Sequence, residues 1–387
     1  MRALTGGTPL ISAILSNMKK IAIALGLTLF CIVLLVVAWS ILNTESKTVH
    51  VPLETQYVSP TQAPSEGVTL ETQVGQLFMI GHWAHTPVAS TTELIEKYQV
   101  GGVILMSTPE DPNEILSWIA SWNSVSNTPL LIAIDQEGGP VNRLKTAAFI
   151  QTGQKAITSV EQAYSVGAER GQELARLGIN LNFSPVLDTT KNADSFLYTR
   201  TFPASTDAPA LAGAMLGGLA TANVAGAIKH FPGHDDTNVD SHFALPVVDL
   251  QKTQLAAFTK PFAEVIEKYD PPFVMTAHVQ FPDIDPLPAT LSPFFLTEYL
   301  RNTLGYQGII VTDDMSMDAI DAYYDTAQAT TLTVAAGADI VLLAAEPEKV
   351  HQAFAGLLES IQESPDLREQ ITVSYNRHLD YKNTFLK

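Results

Sequence analysis

Val224-Ala225-Gly226-Ala227-Ile228-Lys229-His230-Phe231-Pro232-Gly233-His234-Asp235-Asp236-Thr237-Asn238-Val239-Asp240-Ser241-His242 places a short apolar run directly before one lysine, three histidines and three acids. A continuous apolar run of this kind reads as a strand buried on both faces, as in a parallel sheet covered by helices. Titratable groups at such density fit neither a core strand nor an ordinary solvated loop. The stretch therefore predicts a strand that leaves a core and opens into a chemical site.

Similar apolar segments recur on both sides of it. Strand candidates are 77–83, 102–106, 130–135, 180–187, 225–230, 273–279, 308–313 and 339–345. Helix candidates near 91–98, 113–125, 159–177, 207–223, 253–269, 292–304, 325–336 and 347–362 separate them, and a last helix is expected near 367–385. Eight strand–helix units predict an α/β fold, a (β/α)8 TIM-like barrel forming a single catalytic domain. A doubly wound open sheet is the competing architecture. Its Gly-rich dinucleotide fingerprint is absent, and Gly101-Gly102 precedes a strand candidate instead of following one. Polar groups close successive strand candidates: Asp135-Gln136-Glu137-Gly138-Gly139 the third, Asp188 the fourth, Lys229-His230 the fifth, His278 the sixth and Thr312-Asp313-Asp314 the seventh. In such a barrel the C-terminal strand ends form the catalytic face.

Of the 387 residues, 46% are hydrophobic and 16% charged, the composition of a globular protein with a substantial core. The N-terminal part differs in character. Ile21 to Leu42 contains no charged residue over 22 positions, enough to cross a hydrocarbon core. Arg2, Lys19 and Lys20 precede it, so residues 1–20 are expected in the cytoplasm, 21–42 as a transmembrane anchor and the rest outside the membrane. A cleaved signal peptide would have a shorter apolar region ending at small residues, whereas this one ends in Trp39-Ser40-Ile41-Leu42. Residues 43–68, rich in Pro, Ser and Thr, read as a flexible linker to a domain at 69–387. Cys31 is the only cysteine and falls inside the anchor, which excludes disulfides and thiolate chemistry from the remainder. The formal net charge of −18 disfavours nucleic acid as a partner.

Asp313 ends an otherwise uncharged strand candidate and is followed by Asp314. Adjacent acids at a strand end point to opposite sides, so one faces the mouth while the other bonds locally. A helix-capping pair is the plainer alternative. Asp240 and His242, two apart in an extended loop, can pair so that the carboxylate fixes the imidazole tautomer and makes the histidine a proton donor and acceptor near neutral pH. Two chemistries fit these residue types. One is a metal-dependent hydrolase using His230, His234, His242, Asp240 and Asp313, although Pro232-Gly233 breaks the helical spacing a His-x3-His pair would need. The other is glycosyl transfer through a carboxylate nucleophile with a separate acid/base.

Three blocks carry a resemblance: K-H-F-P-G-H-x-D-T-x-x-D-S-H (229–242), D-Q-E-G-G-x-V-x-R-L (135–144) and T-D-D-M-S-M (312–317). With V-G-Q-L-F-M-I-G (74–81), F-S-P-V-L-D (183–188), T-R-T-F (199–202) and M-T-A-H-V (275–279), they resemble the β-N-acetylglucosaminidases of glycoside hydrolase family 3, in family order. The resemblance implies a TIM-like barrel and a retaining exo-β-N-acetylglucosaminidase acting on peptidoglycan fragments or chitooligosaccharides. It implies Asp313 as nucleophile and His242 as general acid/base with Asp240 as its orienting partner. Asp135, Arg143, Arg200, Lys229 and His230 would bind the terminal sugar. No metal or organic cofactor is implied. Two positions depart from the pattern: Asp235 stands where the family usually has Gly, and Pro140 where an arginine is common. A β-glucosidase or phosphorylase of the same family, or a non-catalytic sugar-binding module, are the competing readings. The expected partners are a carbohydrate substrate and, through the anchor, the cell membrane, with the catalytic domain extracytoplasmic and active in cell-wall turnover.

Overall fold

The computed structural model describes Met18 and residues 67–145, 149–234 and 239–386. The run 21–42 and nearly all of the linker 43–68 lie outside the described residues, as does Asp235. Among the described residues no helix is long and apolar enough to cross a membrane. Met1–Pro52 and Leu53–Lys387 are separate units, and the fold is that of the second.

Eight parallel strands form one sheet: β1 Phe78–His82, β2 Gly102–Leu105, β3 Leu131–Ile134, β4 Leu181–Asn182, β5 Ala225–Phe231, β6 Phe273–Thr276, β7 Ile309–Val311 and β8 Val341–Leu343. Neighbours follow chain order from β1 to β7, and β8 pairs with β1 from Phe78–Val341 to Ile80–Leu343. A Val311–Ile340 bridge brings β7 against β8 and nearly closes the barrel. Side chains supplement the backbone at this seam. Leu342 N–H donates to Thr312 Oγ1 (2.9 Å), Ile310 N–H to Asp339 Oδ2 (2.8 Å) and Ala344 N–H to Asp314 Oδ1 (2.9 Å).

Helices follow the strands in order: α1 Val88–Tyr98, α2 Glu114–Asn123, α3 Val160–Arg176, α4 Ala208–Ala220, α5 Lys260–Tyr269, α6 Phe294–Thr303, α7 Thr326–Ala336 and α8 Pro347–Glu363. Side-chain caps set the starts of three of them, α3, α4 and α7: Ser159 accepts from Gln162 N–H, Asp207 from Ala210 N–H and Asp325 from Gln328 N–H. Small residues let α3 and α4 approach closely. A Cβ on Gly167 would lie 2.3 Å from Met215 O, and one on Gly218 2.3 Å from Tyr164 O. Met79, Leu131, Phe183, Phe273 and Ile309 fill the barrel interior, while a second apolar layer joins strands to helices. Each such fully buried large side chain contributes about 1.5–3 kcal/mol.

Helix Pro365–Phe385 covers the N-terminal end of the barrel. The Tyr381 ring meets Phe273 edge-on at 4.9 Å, and Lys382 Nζ donates to Gln76 Oε1 at 2.9 Å. Burial pushes the Lys382 ammonium down to about 7. Arg377 of the same helix and Arg301 of α6 both pair with the buried Asp339 that precedes β8.

Seven of the observed strands are shorter than the apolar runs read for them, and β5 extends one residue past its run, to Phe231. At β4 the run 180–187 contains Pro185, which has no N–H for a ladder, so the regular strand ends at Asn182; beyond it the Ala227 and Lys229 N–H groups still donate to Ser184 O and Pro185 O, and Val186 forms a single bridge to Lys229. Helix 253–269 divides into Leu255–Phe258 and α5, where Pro261 sits in the first turn of the second piece. A short helix at Leu70–Gln76, capped by Thr69, was not anticipated.

Candidate active site

The C-terminal strand ends converge as the polar residues in the sequence require. β3 delivers Asp135 and then turns into a hairpin, Gln136–Gly138 against Val141–Asn142. Gly138 has φ +80°, and a Cβ there would lie 2.3 Å from Thr152 O, so the turn requires glycine. Pro140 stands exposed at the tip. The hairpin carries Glu137, 1% exposed, into the floor of the site.

Glu137 is the electrostatic centre of that floor. Arg200 holds it through two bonds, Nε to Oε2 at 3.0 Å and Nη2 to Oε1 at 2.9 Å. Lys229 Nζ lies 2.7 Å from Glu137 Oε1 and donates to Asp135 Oδ1, also at 2.7 Å. Burial alone would raise the Glu137 carboxyl, but Arg200 and Lys229 overcome it and hold the group down to about 2. Burial alone would likewise neutralise Lys229, and Asp135 with Glu137 instead keeps its ammonium above the usual range. Arg143 reaches the same carboxylate from the rim, 3.7 Å from Asp135 Oδ2 with its side chain one-third exposed.

Asp188, beyond β4, fixes the exit of β5. Its Oδ2 accepts the His230 backbone N–H (3.0 Å) and bonds His230 Nδ1 (2.6 Å), while Oδ1 accepts the His234 N–H (3.0 Å). The carboxylate opposes Nδ1 as an acceptor, so the proton sits on Nδ1 and Nε2 is left for the site. His234 packs edge-on against His230 and Phe196, and burial pushes it down to about 4 despite the pull of Asp188.

The two acids after β7 divide as strand alternation dictates. Asp314 turns away from the mouth, accepting from Ser316 N–H and Oγ and from Ala344 N–H; burial raises its carboxyl to about 6. Asp313 faces inward. Although burial opposes ionisation, His230, His278, the Asp314 N–H and Lys229 together hold it well below the usual carboxylate range. His278 is itself buried and donates from Nε2 to Asp314 O at 2.9 Å.

On the loop after β5, His242 Nδ1 bonds Asp240 Oδ1 at 2.7 Å, with the His242 side chain 60% exposed. Ser241 between them is buried, and its carbonyl accepts the Ala319 N–H (3.3 Å) from the segment following Asp313 and Asp314. The rim bearing the Asp–His pair is thereby tied to the rim bearing the inward carboxylate. Among the described residues no three of His, Cys, Asp and Glu are grouped so as to hold a metal ion.

A buried carboxylate held below its usual range thus stands beside a charged, hydrogen-bonded floor, with an Asp–His pair on the adjoining loop. The model of the glycosyl hydrolase family 3 N-terminal domain matches residues 69–377. The chain belongs to glycosyl hydrolase family 3. Among its family relatives, β-hexosaminidase A of Pseudoalteromonas piscicida is 36% identical over 320 residues, which cover 74% of this chain and 54% of that protein. A β-hexosaminidase of Pseudomonas aeruginosa (strain LESB58) is 31% identical over 293 residues, covering 73% of this chain and 86% of the relative. The solved structure of a family 3 β-N-acetylglucosaminidase from Paenibacillus sp. str. FPU-7 superposes with a TM-score of 0.76 at 35% identity, over 82% of this chain and 63% of that one. The chain thus spans about half the length of the first relative and under two thirds of the solved one.

Asp135, Arg143, Arg200, Lys229, His230 and Asp313 from the sequence reading are brought together within this family 3 barrel mouth, and Asp240 with His242 stands on its rim. Glu137, Asp188 and His278 belong to the same network but were not assigned there. Their signal was in the sequence: each is a titratable residue at the end of an apolar strand. Without the fold, nothing distinguished a carboxylate that clamps Arg200 from one that meets solvent.

Proposed function

We propose that the chain is a retaining exo-β-N-acetylglucosaminidase that releases terminal N-acetylglucosamine from the non-reducing end of peptidoglycan fragments or chitooligosaccharides. The β-hexosaminidase and β-N-acetylglucosaminidase names of the relatives support the substrate class. The observation that carries the chemistry is the inward, ionised Asp313 set against a separate Asp240–His242 pair.

In this reading Asp135, Arg143, Arg200, Lys229 and His230 hold the sugar hydroxyls and acetamido group, with Glu137 fixing Arg200 and Lys229 beneath them. Asp313 attacks the anomeric carbon as His242 Nε2–H protonates the departing oxygen, breaking the glycosidic bond and forming a glycosyl-enzyme. His242 Nε2 then takes a proton from water, whose oxygen attacks the same carbon and expels Asp313. Asp240 accepts from Nδ1–H in both steps and stabilises the imidazolium that gives up its proton in the first step and is restored in the second. A carboxylate held this far below its usual range is both ionised as a nucleophile and a good leaving group in the second step.

The test is turnover of an aryl β-N-acetylglucosaminide by the full chain, with and without phosphate. Asp313→Asn is expected to lose about a thousandfold or more in kcat. Undiminished turnover by that variant would refute the nucleophile assignment. A sugar phosphate as product would replace hydrolysis by phosphorolysis, and binding of N-acetylglucosamine without any turnover would leave a sugar-binding module. We further propose that residues 21–42 anchor the chain with its barrel outside the cytoplasm. The expected result is sedimentation with membranes and release by detergent but not by salt.

A further inference from the structure

Eight large apolar side chains are exposed among the described residues, and four of them, Val239, Phe243, Val247 and Tyr323, lie on two segments beside His242. Phe243 is 77% exposed and Tyr323 62%. Phe243 follows His242 directly, and its N–H donates to Asp240 O (3.0 Å), so it shares the turn that holds the Asp–His pair. Tyr323 follows the short helix Asp318–Asp321, whose Ala319 N–H bonds the Ser241 carbonyl in that same turn. Isolated exposed apolar residues need no explanation, but a concentration beside a reacting group does.

Geometry identifies what covers them. To protonate a leaving oxygen, His242 Nε2 must come within about 3 Å of it. The group on the far side of that oxygen then rests against the residues next to His242, while the buried floor of Asp135, Glu137, Arg200 and Lys229 takes the sugar on the near side. The far group of a glycan is a second pyranose ring, whose axial C–H face is apolar and suits an aromatic face. We infer that Phe243 and Tyr323 form an aromatic platform for the sugar that leaves, making the chain selective for glycan aglycones over small ones. This rests on the glycosidase reading above.

The experiment compares kcat/KM for N,N′-diacetylchitobiose, whose leaving group is a pyranose, with that for methyl β-N-acetylglucosaminide, whose leaving group is too small to reach the platform. In Phe243→Ala the ratio of the two is expected to fall about tenfold, and in Tyr323→Ala about threefold, the scale of losing one aromatic contact. Phe243→Trp is expected to keep the ratio within twofold of wild type, because it keeps the ring. A ratio unchanged in both alanine variants and in their double variant overturns the platform. So does a parallel fall on both substrates, which would mean that Phe243 acts through the placement of His242. Wild-type protein inert on both substrates refutes the glycosidase reading itself, and the platform with it.

Discussion

Replacing Glu137 by Gln keeps the shape of the side chain and removes the one charge that Arg200 and Lys229 share. Its magnitude can be worked from the floor of the site. The carboxyl is held at about 2 against an ordinary 4.5, a depression worth about 3 kcal/mol at about 1.4 kcal/mol per unit. The side chain is 1% exposed, so solvent screening does not reduce the figure. An independent scale agrees, since removing one partner of a buried ion pair costs about 3–5 kcal/mol. Lys229 retains Asp135, but Arg200 loses both of its bonds to the hairpin. The sign follows from the depressed acid: its stabilisation is complete above pH 4.5 and is lost as pH falls through the folded value near 2. Equilibrium urea unfolding of wild type and Glu137→Gln, followed by tryptophan fluorescence, is expected to show a deficit of about 3 kcal/mol at pH 7. At pH 3.5 the deficit should narrow to about 2 kcal/mol. A deficit below about 1 kcal/mol at pH 7, or one that does not narrow on acidification, would refute the assignment of Glu137 as the ionised anchor of the floor.

Two other outcomes follow from the same geometry. In Asp188→Asn, an amide N–H would oppose the His230 N–H or Nδ1–H, so His230 loses its fixed tautomer; KM for an aryl β-N-acetylglucosaminide is expected to rise about tenfold or more while kcat falls less, and an unaltered KM would show that Asp188 does not position the imidazole. Lys382→Met removes a lysine whose folded value is about 7. Its cost to wild type is complete below that pH and vanishes as pH rises through about 10.5, so the stability of the variant relative to wild type should decline steadily from pH 7 to 10 in urea unfolding. A pH-independent difference would contradict a neutral buried lysine.

The barrel was legible because burial on both faces leaves a mark that survives in a single sequence. Each of β1 to β8 coincides with an apolar run read as a strand, β5 running one residue beyond its own, and each polar terminus from Asp135 to Asp313 lies at the mouth. The roles of the acids were legible only where neighbours restrict them. Asp313 and Asp314 had to diverge, since adjacent side chains of an extended segment do. Asp240 and His242 were close enough in sequence to pair. Glu137 and Asp188 depend on partners 63 and 42 residues away, and no local pattern marks such pairs. Helix Leu70–Gln76 was missed because it is short and follows a Pro- and Ser-rich segment. The hairpin that presents Glu137 was missed because its strands are only three and two residues long, below the length at which alternation can be recognised.

The seam between β7 and β8 has a consequence for how this barrel can vary. A backbone ladder is indifferent to sequence, since every residue but proline supplies the same N–H and C=O. At this seam Thr312, Asp314 and Asp339 take over part of that work, each accepting an N–H from the facing strand or its extension. Replacing any of the three therefore changes the width of the gap beside the strand that carries Asp313, which a substitution on β2 or β3 does not. Attempts to stabilise the chain here will also reposition its inward carboxylate, so at this one edge thermal robustness and turnover must be tuned together.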